Sequence, residues 1–183
     1  MKKAIYIFIF FISQYFFGQQ SNQLWKGYFS YNEVVDVESS TNAVFASTQN
    51  ALFSQVVASS NLNVYNSITG LKPDVITTIH HSDAFNKTFV GNNNGLILIQ
   101  NADGSVTTKV DVIEEVPVPP NKKKINDFFE FNGRLYIATD YGISVINLAT
   151  SEFISTYFIG TSGEETEVLQ TTVFNNEIYA VTR

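Results

Sequence analysis

The 183-residue sequence offers few side chains that could do chemistry, and their spacing argues against most of it. Its two histidines are neighbours, His80 and His81, at the end of a strand-like run that begins at Val75. Successive strand residues point to opposite faces, so the two rings cannot readily share one metal ion. No acidic residue stands at a metal-binding spacing such as H-E-x-x-H. His81-Ser82-Asp83 holds the residue types of a hydrolase triad. Consecutive positions do not generate triad geometry, however, and no nucleophile elbow is present. This stretch reads as a polar surface turn. Glu114-Glu115 and Glu164-Glu165 fall in loops. Two carboxylates about 5–10 Å apart could cleave a glycosidic bond, but nothing in the sequence pairs these. Asn101 to Ser105 has a faint likeness to a calcium loop without its spaced acids or distal Glu, and reads as a hairpin turn. Asn86-Lys87-Thr88 fits the glycosylation acceptor pattern, which is too common to carry weight. No glycine-rich phosphate loop occurs. The expectation is therefore a protein that is not an enzyme, with no catalytic, cofactor-binding or metal-binding residue and no cofactor.

Composition narrows the partners. The formal net charge is −6 and cations cluster only at Lys122-Lys123-Lys124. Nucleic-acid binding needs a basic face to neutralise phosphates, so nucleic acid is excluded as a partner. The lysines follow Val116-Pro117-Val118-Pro119-Pro120, which cannot form a central strand because proline lacks the ladder N–H. They read as three solvated lysines on a surface loop. At the amino end, Lys2-Lys3 precedes an apolar run from Ala4 to Phe17 that ends at Gly18. A basic start and an apolar stretch of this length read as a secretory signal peptide over residues 1–18. The run is short for a membrane span, which needs about 20 apolar residues. Export to the periplasm, outer membrane or cell surface follows. The chain has no cysteine, so a lipoprotein anchor and a disulfide framework are both excluded and stability must come from packed sheets.

The elements that would carry these residues are strands. Ile125 to Leu148 contains two alternating runs joined by Asn132-Gly133 and a third beginning after Asp140-Tyr141-Gly142. Asn-Gly supplies the φ > 0 pair of a tight hairpin. Three strands so closely joined make a meander with no room for a helix. The pattern recurs: Phe45-Ala46-Ser47-Thr48, Phe89-Val90-Gly91-Asn92, Tyr136-Ile137-Ala138-Thr139 and Tyr179-Ala180-Val181-Thr182 occupy like places. A period of roughly 40–50 residues with four short strands per unit is the mark of a β-propeller. The expected fold is all-β: a partial propeller of about three and a half four-stranded antiparallel meanders, the amino-terminal part of a larger ring. Blades are placed at about 34–66, 75–112, 125–158 and, incomplete, 168–183, within a domain spanning 19–183. Residues 24–30, which include the single Trp25, read as the outer strand of a closing blade.

Five stretches together resemble the PorZ family, at the amino-terminal β-propeller of this subunit of the type IX protein secretion system of Bacteroidetes-type bacteria. They are Leu24-Trp25 to Tyr31-Asn32, Asn50 to Ser54, Lys123 to Asn126, Tyr136 to Ile143, and Thr156 to Gly160. The resemblance implies a non-catalytic scaffold or adaptor that works with an outer-membrane sortase in cell-surface attachment. Its implied partners are other secretion and sortase subunits, with anionic lipopolysaccharide contacted through parts of the protein outside this chain. An alternative is the periplasmic polysaccharide-sensing propeller of a hybrid two-component regulator. Those repeats resemble these but carry tryptophan in the second strand, where this chain has Phe45, Phe89, Tyr136 and Tyr179. A polysaccharide-cleaving propeller would need carboxylates at the ring centre, and the inner-strand starts Val34, Val75, Ile125 and Val168 offer none.

Overall fold

A computed structural model describes residues 31–59, 61–72 and 74–183. The signal peptide expected over residues 1–18 and the strand expected at 24–30, with Trp25, lie outside the described residues. The first sheet contains β1 (Val34–Ser39), β2 (Ala43–Thr48), β3 (Ala51–Val56) and β4 (Leu62–Tyr65). The second contains β5 (Ile76–Ser82), β6 (Lys87–Asn92), β7 (Ile97–Gln100) and β8 (Val106–Lys109). The third contains β9 (Ile125–Phe131), β10 (Arg134–Thr139), β11 (Gly142–Asn147) and β12 (Phe153–Tyr157). β13 (Val168–Phe174) and β14 (Glu177–Thr182) form a two-stranded fourth sheet. Within each sheet the strands follow chain order and every described pairing is antiparallel. The first strands β1, β5, β9 and β13 lie side by side, so the sheets fan outward from them as an open, unclosed arc of propeller blades.

Local chemistry explains the turns. Asn132 and Gly133 have φ of 49° and 70°, the positive pair that a tight hairpin needs, and Asn175-Asn176 repeats it at 49° and 65°. Gly142 is required by space: a Cβ there would meet the Tyr157 carbonyl oxygen at 2.4 Å, and its φ is +155°. The third and fourth strands of the expected second blade are shorter than their apolar runs. Val110 to Ile113 leaves the sheet, and Val112 instead plugs the core between the second and third sheets.

Three apolar seams hold the arc together. Phe45, Leu52 and Ala43 of the first sheet meet Ile79, Val90 and Leu98 of the second. Phe89, Ile97 and Ile99 meet Phe128, Leu135, Ile137 and Ile146 of the third. Ala138, Ile143 and Val145 meet Val168, with Ile178 and Ala180 packed alongside. Each sheet therefore presents one face forward and the other backward along the arc. Burial of a full aliphatic or aromatic side chain is worth about 1.5–3 kcal/mol, so the seams carry most of the stabilisation that sheets without disulfides can have.

Candidate functional site

The innermost strands bring together acidic, amide, hydroxyl and imidazole groups that lie far apart in the chain. A repeated bulge sets their direction. In β1, β5 and β13 the register slips after Val34, Ile76 and Val168, and in β9 it slips between Ile125 and Asp127. The skipped residues are Val35, Thr77, Leu169 and Asn126 respectively. A bulge leaves its extra residue unpaired and re-aims the side chain. Thr77 Oγ1 accordingly donates to the carbonyl of Ile125, 2.6 Å away in the next sheet. Asn126 Nδ2 donates to the carbonyl of Val168, 2.9 Å away in the sheet after that. Both side chains reach the same atom of the following blade: the carbonyl that opens its inner strand.

The residue after each bulge continues the stitching. Asp36 Oδ2 accepts from the Ile79 amide at 2.8 Å and from Thr78 Oγ1 at 3.0 Å. Asp127 accepts from the Thr171 amide, and burial pushes its carboxyl up to about 6, with Asp36 adding to the rise. Glu38 Oε2 accepts from the amide of His81. Glu38 Oε1 lies 2.8 Å from His80 Nδ1, and Glu130 Oε2 lies 3.1 Å from His80 Nε2. One imidazole thus sits between carboxylates of the sheets before and after its own. Burial lowers its pKa, but the hydrogen bonds and charges of Glu38 and Glu130 outweigh that and hold it above 6.5. His81, on the opposite strand face, stacks on Phe45 with ring centroids 4.2 Å apart, and burial lowers its pKa.

Several sequence expectations change here. His80 lies in β5 as expected, but His81 and Ser82 also belong to β5 rather than to a surface turn, and the two histidine side chains are only 14% and 9% exposed. The turn begins at Asp83, whose carboxylate accepts from the amide and hydroxyl of Thr41. His81 Nε2 is 3.7 Å from Asp83 Oδ1, while Ser82 Oγ is buried with no hydrogen-bond partner among the described residues, so the three do not form a relay. The inner strands do carry carboxylates, contrary to the reading taken from their first residues alone. Asp36, Glu38, Asp127 and Glu130 stand two to five residues further in, where strand alternation and the bulge turn them toward a neighbouring sheet. Their signal was visible as acids inside apolar strand patterns, a place where a charge needs a partner.

The lysine cluster divides too. Lys123 is 5% exposed, and its ammonium binds the carbonyls of Ile113 and Glu115. Lys122 pairs with Glu165 at 2.9 Å, and Lys124 is exposed. The loop doublets have separate partners: Glu115 accepts from Thr156 Oγ1 at 2.7 Å, while Glu165 pairs with Lys122. Asn101 to Ser105 closes on itself, with Asp103 Oδ1 accepting from the Ser105 amide and hydroxyl. The threonine of the Asn86-Lys87-Thr88 pattern is buried, its hydroxyl 2.9 Å from His81 Nδ1. Among the described residues no group of three or more His, Cys, Asp and Glu side chains is arranged to hold a metal ion. An apolar groove of about 530 Å³, lined by Tyr136, Ile143, Tyr157, Ile159, Ile178 and Tyr179, runs beside β14. The described inner-strand groups are arranged to tie blades to one another.

Four-stranded meanders radiating from adjacent first strands, stitched by a bulge that repeats from sheet to sheet, define a β-propeller. The model of the PorZ amino-terminal β-propeller domain of the type IX secretion system matches residues 44–183, and the chain belongs to that family. Among solved structures it is similar to PorZ of Porphyromonas gingivalis, an essential bacterial surface component of that system: TM-score 0.72, 19% identity, 86% of this chain and 20% of that one. It is also similar to the extracellular domain of the hybrid two-component system BT3049 of B. thetaiotaomicron: TM-score 0.62, 19% identity, 82% of this chain and 19% of that one. Virginiamycin B lyase of Staphylococcus aureus matches with TM-score 0.57 and 12% identity, over 74% of this chain and 45% of that one. At such identities these likenesses concern the fold. The chain spans about a fifth of the length of the first two. No curated protein sequence matches it.

Proposed function

We propose that this chain belongs to a non-catalytic scaffold or adaptor of the type IX protein secretion and cell-surface attachment machinery. Its work is to hold other secretion and sortase subunits at the outer membrane. The observation that carries this is the family match over residues 44–183. The inner-strand chemistry agrees with it: Asp36, Glu38, His80, Asn126 and Glu130 are engaged across blade boundaries, as a rigid frame requires. Export through residues 1–18 would place the frame outside the cytoplasm. Contact with anionic lipopolysaccharide is assigned to parts of the protein outside this chain.

A second reading is favoured by the likeness to the extracellular domain of a two-component system: a propeller that senses polysaccharide fragments in the periplasm. The two readings separate in one experiment. The full-length protein is surface-labelled in intact cells of its native host and purified from the outer membrane. Labelling together with co-purified type IX secretion subunits supports the scaffold. A protein that fractionates with the inner membrane and is shielded from the label overturns it in favour of the sensor.

A further inference from the structure

The most demanding arrangement in the chain is the one around His80. A neutral imidazole has one N–H and so can donate one hydrogen bond. His80 has a carboxylate oxygen at each nitrogen, 2.8 Å from Nδ1 and 3.1 Å from Nε2. Both contacts are hydrogen bonds at once only when the ring carries two protons. The two acids come from different sheets, Glu38 on β1 and Glu130 on β9, while His80 stands on β5 between them. We propose that His80 is a proton-operated latch: as an imidazolium it ties the inner strands of three successive blades together, and loss of one proton breaks its hydrogen bond to one of the two acids.

The surroundings make the latch consequential. The ring is 14% exposed and the two acids 25% and 26%, so the ion pairs are partly shielded from water and salt. Glu38 also accepts from the His81 amide, so a change at His80 reaches the backbone seam between β1 and β5. The other titratable groups facing this region are Asp36 on β1, His81 and Asp83 on β5 and the turn after it, and Asp127 on β9. The sign is set by the direction of each shift. The His80 pKa is raised in the fold, so its contribution is complete below pH 6.5 and is lost as the pH climbs through the folded value. His81 is lowered and acts oppositely, losing stability on acidification. Asp127 is held at about 6, so its contribution is lost in a window that adjoins that of His80.

The sequence contains only these two histidines, so a proton NMR titration of the whole chain, with His81→Gln to assign the signals, reads the latch directly. The His80 midpoint is expected above 6.5 and that of His81 below it. Protection factors of the Ile79 and His81 amides, donors to Asp36 and Glu38, should fall several-fold as the pH crosses the His80 midpoint. In His80→Gln that pH-dependent fall should vanish. Glu130→Gln removes one carboxylate and keeps the other, and should lower the His80 midpoint. A wild-type midpoint at or below 6.5, or one that Glu130→Gln leaves unmoved, overturns the latch. So does a wild-type fall in protection that persists in His80→Gln. The wild-type titration decides the matter even if neither of those variants folds.

Discussion

The first and second sheets share one strand plan, yet equivalent residues in them have opposite surroundings. Val37 of β1, Ile79 of β5, Phe128 of β9 and Thr171 of β13 occupy the same place, one residue past the bulge pair. Val37 is 59% exposed, whereas Ile79, Phe128 and Thr171 are 4%, 6% and 6% exposed. The forward face shows the mirror case. Phe45 and Phe89 are 7% and 0% exposed against the next sheet, whereas Tyr179 on β14 is 47% exposed. Position within the repeat therefore sets which way a side chain points, and the presence of a neighbouring sheet sets what that direction is worth. Stability in such an array is a sum of unit and nearest-neighbour terms, and here the neighbour terms sit in three seams.

Matched alanine substitutions sharpen this contrast. Phe89→Ala, in the middle seam, should cost about 3–5 kcal/mol by urea denaturation of the chain; Tyr179→Ala, at the same repeat position, should cost under about 1 kcal/mol. Equal losses would show that the seams are not where the stability lies. Ile79→Ala should cost about 2–5 kcal/mol, whereas Val37→Ala should stay within about 0.5 kcal/mol. Gly142→Ala tests close approach rather than burial. Its Cβ would strike the Tyr157 carbonyl, so a loss greater than about 1 kcal/mol is expected, while Gly133→Ala at φ +70°, with open space around it, should lose less.

The last expected effect is a pH dependence. The Asp127 carboxyl is raised from 3.8 to about 6, so the folded state holds its proton more tightly than the unfolded one. Stability from this group is greatest below about pH 4 and declines as the pH rises to about 6. Thermal melting across that range should show the decline in the wild-type chain, and Asp127→Asn, which keeps an acceptor for the Thr171 amide, should lose that component. A variant that follows the wild-type curve would place the titration elsewhere.

The strand plan was legible because alternation and turn chemistry are local. Asn132-Gly133 forms the expected turn, and Ile125–Phe131 and Arg134–Thr139 are the strands it joins. Local signals could not show the bulge, because skipping Thr77 or Asn126 depends on the partner strand as much as on the residue itself. They also missed the partners of His80 and misplaced Lys123. A histidine beside a turn and a lysine beside prolines look solvated until the carboxylates of β1 and β9, or the carbonyls of Ile113 and Glu115, close around them.

The amino-acid order alone determined that this chain makes short antiparallel meanders at a fixed period, since φ > 0 turns and two-residue alternation are properties of a few adjacent residues. Which acids, amides and imidazoles face one another was decided only when the sheets came side by side. Glu38 and Glu130 are separated by most of two blades of chain, and no local preference can encode their meeting at one ring.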